Sequence, residues 1–242
     1  MSRPLRTQFP GALYHVTARG NRKALIFLDD LDYLNWLSLM ARAAERFGFI
    51  CHAYCQMPNH FHLLLQTPVT NLSELMHFLN CVYSLQFNVR HGLTGHVFQG
   101  RFHSVLLERD EHFLELTRYI TLNPVRAGLV ESAAEWRWSN YRATAGLVAP
   151  PEWLETETTL DRFQGATGEE RISRYRDFVA AGVGVPDPLT PPSLPSTWGK
   201  QATQAAIAEA LRAGHYSPAQ IAEHFKVSTR TVQRIRAAEA AR

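Results

Sequence analysis

The sequence predicts an α+β protein with a split βαβ plan, followed by a small all-α domain. Apolar side chains recur with alternating strand and helix periods along the first half of the chain. A cluster of prolines interrupts this pattern near residue 190, and three short helical patterns close the chain. We therefore predict a first domain at 1–183, a proline-rich linker at 184–199 and a helical domain at 200–242.

The first strand and the first helix have clear boundaries. Residues 13–19 alternate in character, and Gly20-Asn21 ends that strand in turn chemistry. Asp29 or Asp30 then caps a helix, in which apolar residues recur at helical spacing until Gly48 stops it. A strand followed by a crossover helix is the expected start of the domain.

Two strands, a second helix, a strand and a third helix follow. Residues 49–56 and 60–66 are rich in strand formers, and Pro58-Asn59 separates them. A helix is predicted at 72–90, a strand at 96–108 and a short helix at 111–122, which Pro124 should end. This order is the ferredoxin-like plan, a single antiparallel sheet with helices on one face and an appended helix. The other face is expected to stay open for a substrate.

The C-terminal domain resembles a helix-turn-helix. Residues 200–213 form an alanine-rich helical pattern, Ser217-Pro218 opens a second helix, and Ser228 caps a third. On that last helix four polar residues are expected to be exposed as a recognition surface for duplex DNA. They are Thr229, Arg230, Gln233 and Arg234. A helical module that contacts another protein is the alternative.

Composition permits a nucleic-acid partner and indicates a soluble, cytoplasmic protein. The formal charge is +3, and of the 25 basic residues only Lys23, Lys200 and Lys226 are lysines. Arginine suits phosphate recognition, although a GC-rich genome also enriches it. Three cysteines without regular spacing indicate a reducing compartment. Neither a secretory signal nor a transmembrane run is visible, so no membrane association is expected.

Two histidines of the third strand are candidate metal ligands. His60 and His62 are two residues apart, so their rings lie on the same side of a strand. Two neutral imidazoles make half of a divalent-metal site, and Asn123 can add an oxygen. Imidazole favours Mn²⁺ over Mg²⁺ by softness, while availability favours Mg²⁺. A packed or surface histidine pair is the alternative.

Three further residues close to the histidines raise a second metal hypothesis. Cys51, His52 and Cys55 are zinc-ligand types. Strand alternation, however, places the two cysteines on one face and His52 on the other. Packed core thiols are therefore the preferred interpretation.

Tyr119 is a candidate nucleophile. It lies four residues before Asn123 on one helical face, with Arg118 and Arg126 nearby. A phenol needs a nearby cation to become nucleophilic at neutral pH. Attack on a DNA phosphate would leave a phosphotyrosine link and free a hydroxyl end.

Two further segments are candidate DNA contacts. Residues 96–103 combine aromatic residues, a glycine and Arg101, a composition suited to stacking a base and holding its phosphate. Arg19, Asn21 and Arg22 are placed to touch a backbone. The alternatives are an edge strand with a glycine bulge and an ordinary turn.

Several motifs in this order closely resemble the REP-associated tyrosine transposases, a group within the HUH single-strand, IS200-like transposases. The resemblance covers about residues 5–180. It is carried by Tyr14-His15-Val16-Thr17-Ala18-Arg19-Gly20-Asn21, Met57-Pro58-Asn59-His60-Phe61-His62-Leu63-Leu64, Gly100-Arg101-Phe102, Arg118-Tyr119-Ile120 and Asn123-Pro124-Val125-Arg126-Ala127-Gly128.

The resemblance implies a ferredoxin-like catalytic domain, with His60, His62 and Asn123 as ligands of Mg²⁺ or Mn²⁺ and Tyr119 as nucleophile. The implied substrate is single-stranded DNA carrying hairpins of repetitive extragenic palindromes, cut to form a 5′-phosphotyrosine and then rejoined. Two residues depart from the family pattern: Asn123 stands where many relatives have Gln, and Thr121 replaces a histidine.

A metal-dependent DNA endonuclease and strand transferase is accordingly the leading hypothesis. A DNA-binding regulator that kept the fold with weak or no catalysis is the alternative, and a small-molecule metal hydrolase is a third. Both a monomer and a homodimer are compatible with the sequence.

Overall fold

A computed structural model of the chain describes residues 8–107, 112–184, 204–214 and 216–240. These residues form two compact units, one within Met1–Val185 and the other within Pro186–Arg242. The division falls inside the predicted linker 184–199, which lies outside the described residues apart from Gly184. The domain limits 1–183 and 200–242 stay predictions.

The first unit is built on a four-stranded antiparallel sheet. The strands are β1 (Ala12–Arg19), β2 (Ile50–Met57), β3 (His60–Thr67) and β4 (His103–Leu106). Their spatial order is β2-β3-β1-β4, and each neighbouring pair is antiparallel. The central strand β1 therefore pairs with β3 along its whole length and with β4 along half of it.

Two helices cover one face of this sheet. They are α1 (Asp30–Phe47) and α2 (Leu72–His91). The Asp29 carboxylate accepts hydrogen bonds from the first turn of α1, and Gly48 ends that helix at φ 63°. The alternate residues of β1 and β3 that face these helices are apolar and fully or nearly fully buried. Both helices were predicted, and their packing against the sheet forms the main core.

The opposite face carries a third helix, so the expectation of an open face is wrong. Helix α3 (His112–Arg126) packs against β2 and β3. Its residues Phe113, Leu116 and Ile120 are at most 1 % exposed. Burying this apolar stripe stabilises the helix on the sheet. A substrate can therefore reach this face only at the ends of the helix or along its edge.

The start of β4 and the end of α3 differ clearly from the prediction. β4 begins at His103 rather than at residue 96, because the preceding segment contains Gly95 and Gly100 at positive φ and pairs with the sheet only through a bridge between Phe98 and Gly20. α3 continues past Pro124 to Arg126. The Ala127 N–H donates to the Asn123 carbonyl at 2.9 Å, so the last turn closes despite the proline.

Three helices complete the first unit. They are α4 (Tyr141–Thr144), α5 (Glu157–Leu160) and α6 (Gly168–Ala180). Tyr175 and Val179 of α6 are buried against Leu122 of α3. The Asn140 side chain accepts a hydrogen bond from the Tyr54 N–H at 3.0 Å. These contacts attach the segment after α3 to both α3 and β2.

The described residues of the second unit form three helices. They are α7 (Gln204–Ala213), α8 (Pro218–Phe225) and α9 (Thr229–Ala240). Ser217 and Gln220 form a reciprocal capping box at the start of α8, and Lys226 leaves that helix in the left-handed region. Ile207, Ile221, Phe225, Val232 and Ile235 make a small core. In the part of the chain that the structure describes, no helix is long and apolar enough to cross a bilayer.

Buried His52 should make the first unit less stable at mildly acidic pH. The side chain is 3 % exposed, and burial lowers its pKa, while a hydrogen-bond contact with Gln66 raises it. Because the folded pKa lies below the ordinary value near 6.5, the unfolded chain binds a proton first as pH falls. Stability from this group is full above about pH 6.5 and decreases as pH falls below it, by up to about 2 kcal/mol at pH 5.

Thermal unfolding at pH 7.5 and 5.0 tests this expectation. Wild type should lose more stability between the two conditions than His52→Gln. The matched control is His103→Gln, at an exposed histidine, and this variant should lose as much stability as wild type. Equal losses in wild type and His52→Gln would contradict it.

Candidate active site

Three imidazoles and one phenol meet between β1, β3 and α3. His60 and His62 are two residues apart on β3, so both lie on the face that α3 covers. Their ring centroids are 5.0 Å apart. His15 on β1 lies diagonally across the strand pair from His62, and the Tyr119 ring of α3 stands edge-on to both. The structure thus brings together the predicted histidine pair and the predicted tyrosine.

His62 is held by His15. The Nδ1 of His62 is 2.9 Å from the Nε2 of His15, and the two ring planes are nearly parallel, with an angle of 4° between them. His62 is 6 % exposed, and its Nε2 is buried with no hydrogen-bond partner among the described residues. One nitrogen of this ring is therefore occupied and the other is left for a ligand.

His60 is oriented by Asn59. The Asn59 Nδ2 donates to the Lys23 carbonyl at 3.1 Å, which leaves its Oδ1 to face the His60 Nδ1 at 2.6 Å. Because an amide oxygen can only accept, the His60 Nδ1 carries the hydrogen and donates it. The lone pair of His60 is therefore on Nε2.

Both histidines of the pair are neutral at neutral pH. Burial lowers the pKa of His60 to about 4, and the Arg19 charge adds to this effect. Burial, followed by the proximity of His15, His60 and Arg19, holds the pKa of His62 well below its ordinary value. Neutral imidazoles with a lone pair on Nε2 are the protonation state that binds a metal.

This donor set fits a divalent ion, but imidazoles alone do not complete it. Within the described ranges, no three His, Cys, Asp or Glu side chains are arranged so that they could hold one metal ion together. A further ligand would then be an oxygen atom, from an amide, from water or from a phosphate. A site with open positions is what catalysis at a phosphate requires.

Tyr119 is placed against the histidines. Its ring centroid is 5.8 Å from that of His62 and 6.2 Å from that of His15. The Arg126 guanidinium carbon lies 4.8 Å from the Tyr119 ring centroid. A cation over the ring favours negative charge on the phenol oxygen.

Asn123 lies one helical turn after Tyr119, as predicted. Its Nδ2 donates to the Tyr119 carbonyl at 2.9 Å, which orients the amide on the same helical face. Thr121 is fully buried, and its hydroxyl donates to helix carbonyls of Thr117 and Arg118. Thr121, which stands where the resemblance implies a histidine, is therefore hydrogen-bonded within α3.

Arg118 is engaged within the protein. Its guanidinium forms an ion pair with Glu115 and lies 4.3 Å from the ring centroid of Phe178 in α6. Its Nη1 also donates to the Phe178 carbonyl at 3.4 Å. These contacts attach α3 to α6.

The other candidate DNA contacts lie at two separate places. Arg19 ends β1 as the register partner of His60, and Asn21 and Arg22 follow in a short 3-10 turn. Those three residues and Arg101 are exposed. In the second unit the exposed residues at the start of α9 include all four predicted ones, Thr229, Arg230, Gln233 and Arg234.

Sequence reasoning did not single out His15 and Asn59, which contact the two candidate ligands. Both lie inside motifs quoted above, but their roles depend on contacts between different elements. The alternation of His15 with Thr17 and Arg19 gives its strand face, whereas only the β1–β3 register shows that it reaches His62.

The cysteine hypothesis needs a correction. A register shift in β2 between Cys51 and Ala53 reverses the side-chain alternation, so Cys51 and Cys55 face opposite sides of the sheet. Cys51 pairs with Leu65 and lies in the main core, whereas Cys55 pairs with His62. Both thiols are fully buried, and burial raises the pKa of each. They are core thiols.

Comparison with known proteins agrees with this geometry. Residues 9–123 match the family model "Transposase IS200 like", a range that contains all four strands and Tyr119. These residues are therefore similar to the IS200-like transposase family. The resemblance inferred from the sequence motifs is confirmed.

Two relatives extend the match beyond residue 123. A Haemophilus influenzae protein classed as a REP-associated tyrosine transposase is 27% identical over 156 residues, covering 59% of this chain and 88% of that protein. A solved structure of a REP-associated tyrosine transposase bound to a REP hairpin superposes with a TM-score of 0.52 at 20% identity. That match covers 64% of this chain and 92% of the solved chain, and it supports the mixed fold of the IS200-like domain.

Proposed function

We propose that this protein is a metal-dependent single-stranded DNA endonuclease and strand transferase that acts at palindromic hairpins through a 5′-phosphotyrosine. The observation that carries the proposal is the 5.8 Å separation between the rings of Tyr119 and His62, the latter with a buried unpartnered Nε2. A potential nucleophile and a potential ligand thus share one site.

His60 and His62 would hold the divalent ion through their Nε2 atoms, with Asn123 as the proposed third ligand. Mn²⁺ or Mg²⁺ bound there would polarise the scissile phosphate and steady its leaving oxygen. Asn59 and His15 would act as positioning residues, because each occupies the Nδ1 of one ligand ring.

Tyr119 would perform the covalent step. Its phenol oxygen attacks the phosphorus, the bond from phosphorus to the 3′ oxygen breaks, and the proton lost by the phenol is balanced by protonation of that 3′ oxygen. The product is a 5′-phosphotyrosine and a free 3′-hydroxyl. Because one phosphoester replaces another, a second 3′-hydroxyl can reverse the step and join a new strand without an external energy source.

The DNA backbone would approach along the exposed basic end of the sheet. Arg19 is the register partner of His60, the exposed Arg22 and Lys23 follow it along the chain, and Arg126 lies over Tyr119. Arginine and lysine at such positions neutralise phosphates and set the register of the strand. Arg118 would act indirectly, by keeping α3 on α6.

The fold and the relatives support the hairpin as substrate. The strand order β2-β3-β1-β4, with two crossover helices, supports the ferredoxin-like plan that the resemblance implies. The relative of known structure was solved with a REP hairpin. We extend that substrate class to this chain.

The second unit would add affinity for duplex DNA or the hairpin stem. Its three helices and the turn at Lys226 match the helix-turn-helix arrangement. The buried Val232 and Ile235 of α9 face the small core, whereas the four predicted recognition residues are exposed. α9 would be the recognition helix.

The decisive experiment is trapping of a protein–DNA adduct. Full-length protein is incubated with Mn²⁺ and a single-stranded oligonucleotide that carries a palindromic hairpin and a label on the 3′ side of the scissile phosphate. We expect a labelled species of protein mass on a denaturing gel, lost with EDTA and absent with fully duplex DNA. Hairpin binding without any adduct would contradict the enzyme and favour the DNA-binding regulator.

Asn59→Ala is expected to weaken Mn²⁺ binding by about 10- to 100-fold, because the His60 ring loses the acceptor that fixes its hydrogen on Nδ1. Calorimetric titration of the full chain with Mn²⁺ measures the change. Asn59→Asp keeps an acceptor oxygen and should retain most of the affinity. If both variants bind Mn²⁺ like wild type, Asn59 does not position His60.

A further inference from the structure

A cavity of about 850 Å³ lies between α2 and residues 95–102, the segment that leads into β4. Small-ligand pockets typically enclose about 300–1,000 Å³. The lining includes neither of the proposed metal ligands His60 and His62, nor Tyr119. The cavity is therefore distinct from the proposed catalytic site.

The wall of this cavity is fixed to the end of β1. The Asn21 N–H donates to the Val97 carbonyl, and the Gln99 N–H donates to the Arg19 carbonyl, both at 2.8 Å. Arg19 is in turn the register partner of His60. The cavity thus adjoins the end of the sheet at which the proposed metal pair lies, so one DNA strand can reach both.

The floor of the cavity is apolar and aromatic. Phe98 and Phe102 line it, together with Met76 and Val97. The two phenylalanines are 8 % and 7 % exposed, and the Phe98 ring packs on Phe61 and Tyr83 in the core. A flat apolar ligand would find a rigid wall at Phe98, because core residues hold that ring from behind.

The polar groups around the floor suit a neutral ligand with hydrogen-bonding edges. Asn80, Ser84 and Gln99 line the cavity, and no Asp or Glu does among the described residues. The Asn80 Oδ1 is buried with no hydrogen-bond partner in the described part of the chain. This oxygen is therefore an acceptor that lacks a donor, and a ring or exocyclic N–H of a ligand can supply that donor.

One positive charge lies at the rim. Arg101 lines the cavity, is exposed, and forms no ion pair with any described residue. An aromatic floor, amide and hydroxyl groups, and a single guanidinium together match a nucleobase and its phosphate.

We propose that this cavity binds one unpaired base of the DNA strand on which the domain acts, with Asn80 accepting a hydrogen bond from the base and Arg101 contacting its phosphate. The inference rests on the proposed function only in taking single-stranded DNA as the substrate. It assigns the 95–102 segment to strand recognition near the scissile phosphate.

Fluorescence of 2-aminopurine, substituted in turn at each unpaired position beside the hairpin, tests the proposal. The protein is full-length Tyr119→Phe, so that binding is read without covalent reaction. We expect a large change in emission at one position, and a small change at the others. The same oligonucleotides also give the dissociation constant.

Two variants of α2 then distinguish the effect of filling the cavity from a general effect of adding a ring to this helix. Ser84→Phe places a ring in the cavity and is expected to weaken binding about tenfold, as loss of one stacked base does, and to abolish the position-specific signal. Leu85→Phe adds a ring at the next residue, which is 66 % exposed and outside the cavity, and should bind like the parent. Thermal unfolding checks that both variants are folded.

The outcomes separate this proposal from the preceding one. Tight binding by the parent, with no position-specific emission change and no effect of Ser84→Phe, would overturn the base pocket alone. Absence of any hairpin binding by the parent would overturn the proposed function itself. If Ser84→Phe unfolds, Asn80→Ala provides the second test, with a weaker affinity expected and an unchanged affinity counting against the proposal.

Discussion

Tyr119→Phe is expected to abolish covalent adduct formation completely while leaving hairpin affinity within about twofold of wild type. The substitution removes one oxygen and keeps the ring that packs edge-on to His15 and His62. No phosphoester to the protein can form without that oxygen. Residual hydrolysis, if present, would release a labelled fragment with no shift to protein mass.

The matched control is Tyr141→Phe. Tyr141 lies on α4, is 8 % exposed, and packs with Leu122 and Tyr175 rather than with the histidines. This variant should form the adduct at close to the wild-type rate. Adduct formation by Tyr119→Phe would assign the nucleophile to another residue, and loss of adduct in both variants would indicate a packing effect instead.

His62→Ala is expected to lower Mn²⁺-dependent cleavage by at least about 100-fold. Two reasons apply: the site would lose one of its two proposed imidazole ligands, and a metal bound there would contribute several kcal/mol to charge stabilisation at a phosphate. His62 also contacts the rings of His15, His60 and Tyr119, so its removal takes away a packing contact from each of these three side chains. Single-turnover cleavage at several Mn²⁺ concentrations measures the change.

A control and a rescue make the result specific. Exposed His103→Ala on β4 should cleave like wild type. Higher Mn²⁺ should restore part of the activity of His62→Ala, since weakened binding is overcome by mass action, but none of that of Tyr119→Phe. Equal cleavage by His62→Ala and wild type would remove His62 from the proposed site.

Local periodicity was sufficient for the parts of the site that lie within one element. His60 and His62 share a face because they are two apart on a strand, and Tyr119 and Asn123 share one because they are four apart on a helix. The apolar spacing of α1 and α2 likewise predicted both helices close to their observed limits.

Contacts between elements were beyond that reasoning. The pairing of His15 with His62 depends on strand register, which a single sequence does not specify. The bulge beside His52 places the two β2 cysteines on opposite faces of the sheet, although strand alternation predicts that they share one face. The coverage of the second sheet face by α3 depends on where Phe113 and Leu116 find apolar partners, which is a property of the whole chain.

The brace between α3 and α6 sets the practical size of the working unit. The family match ends at residue 123, yet Arg118 is stacked on Phe178, and Leu122 packs with Tyr175 and Val179. A shortened protein that stops soon after the match would therefore keep every proposed ligand and the tyrosine, but would expose the outer side of the helix that presents that tyrosine. Expression of the isolated first unit should include α6, because its loss would let Tyr119 move away from His15 and His62.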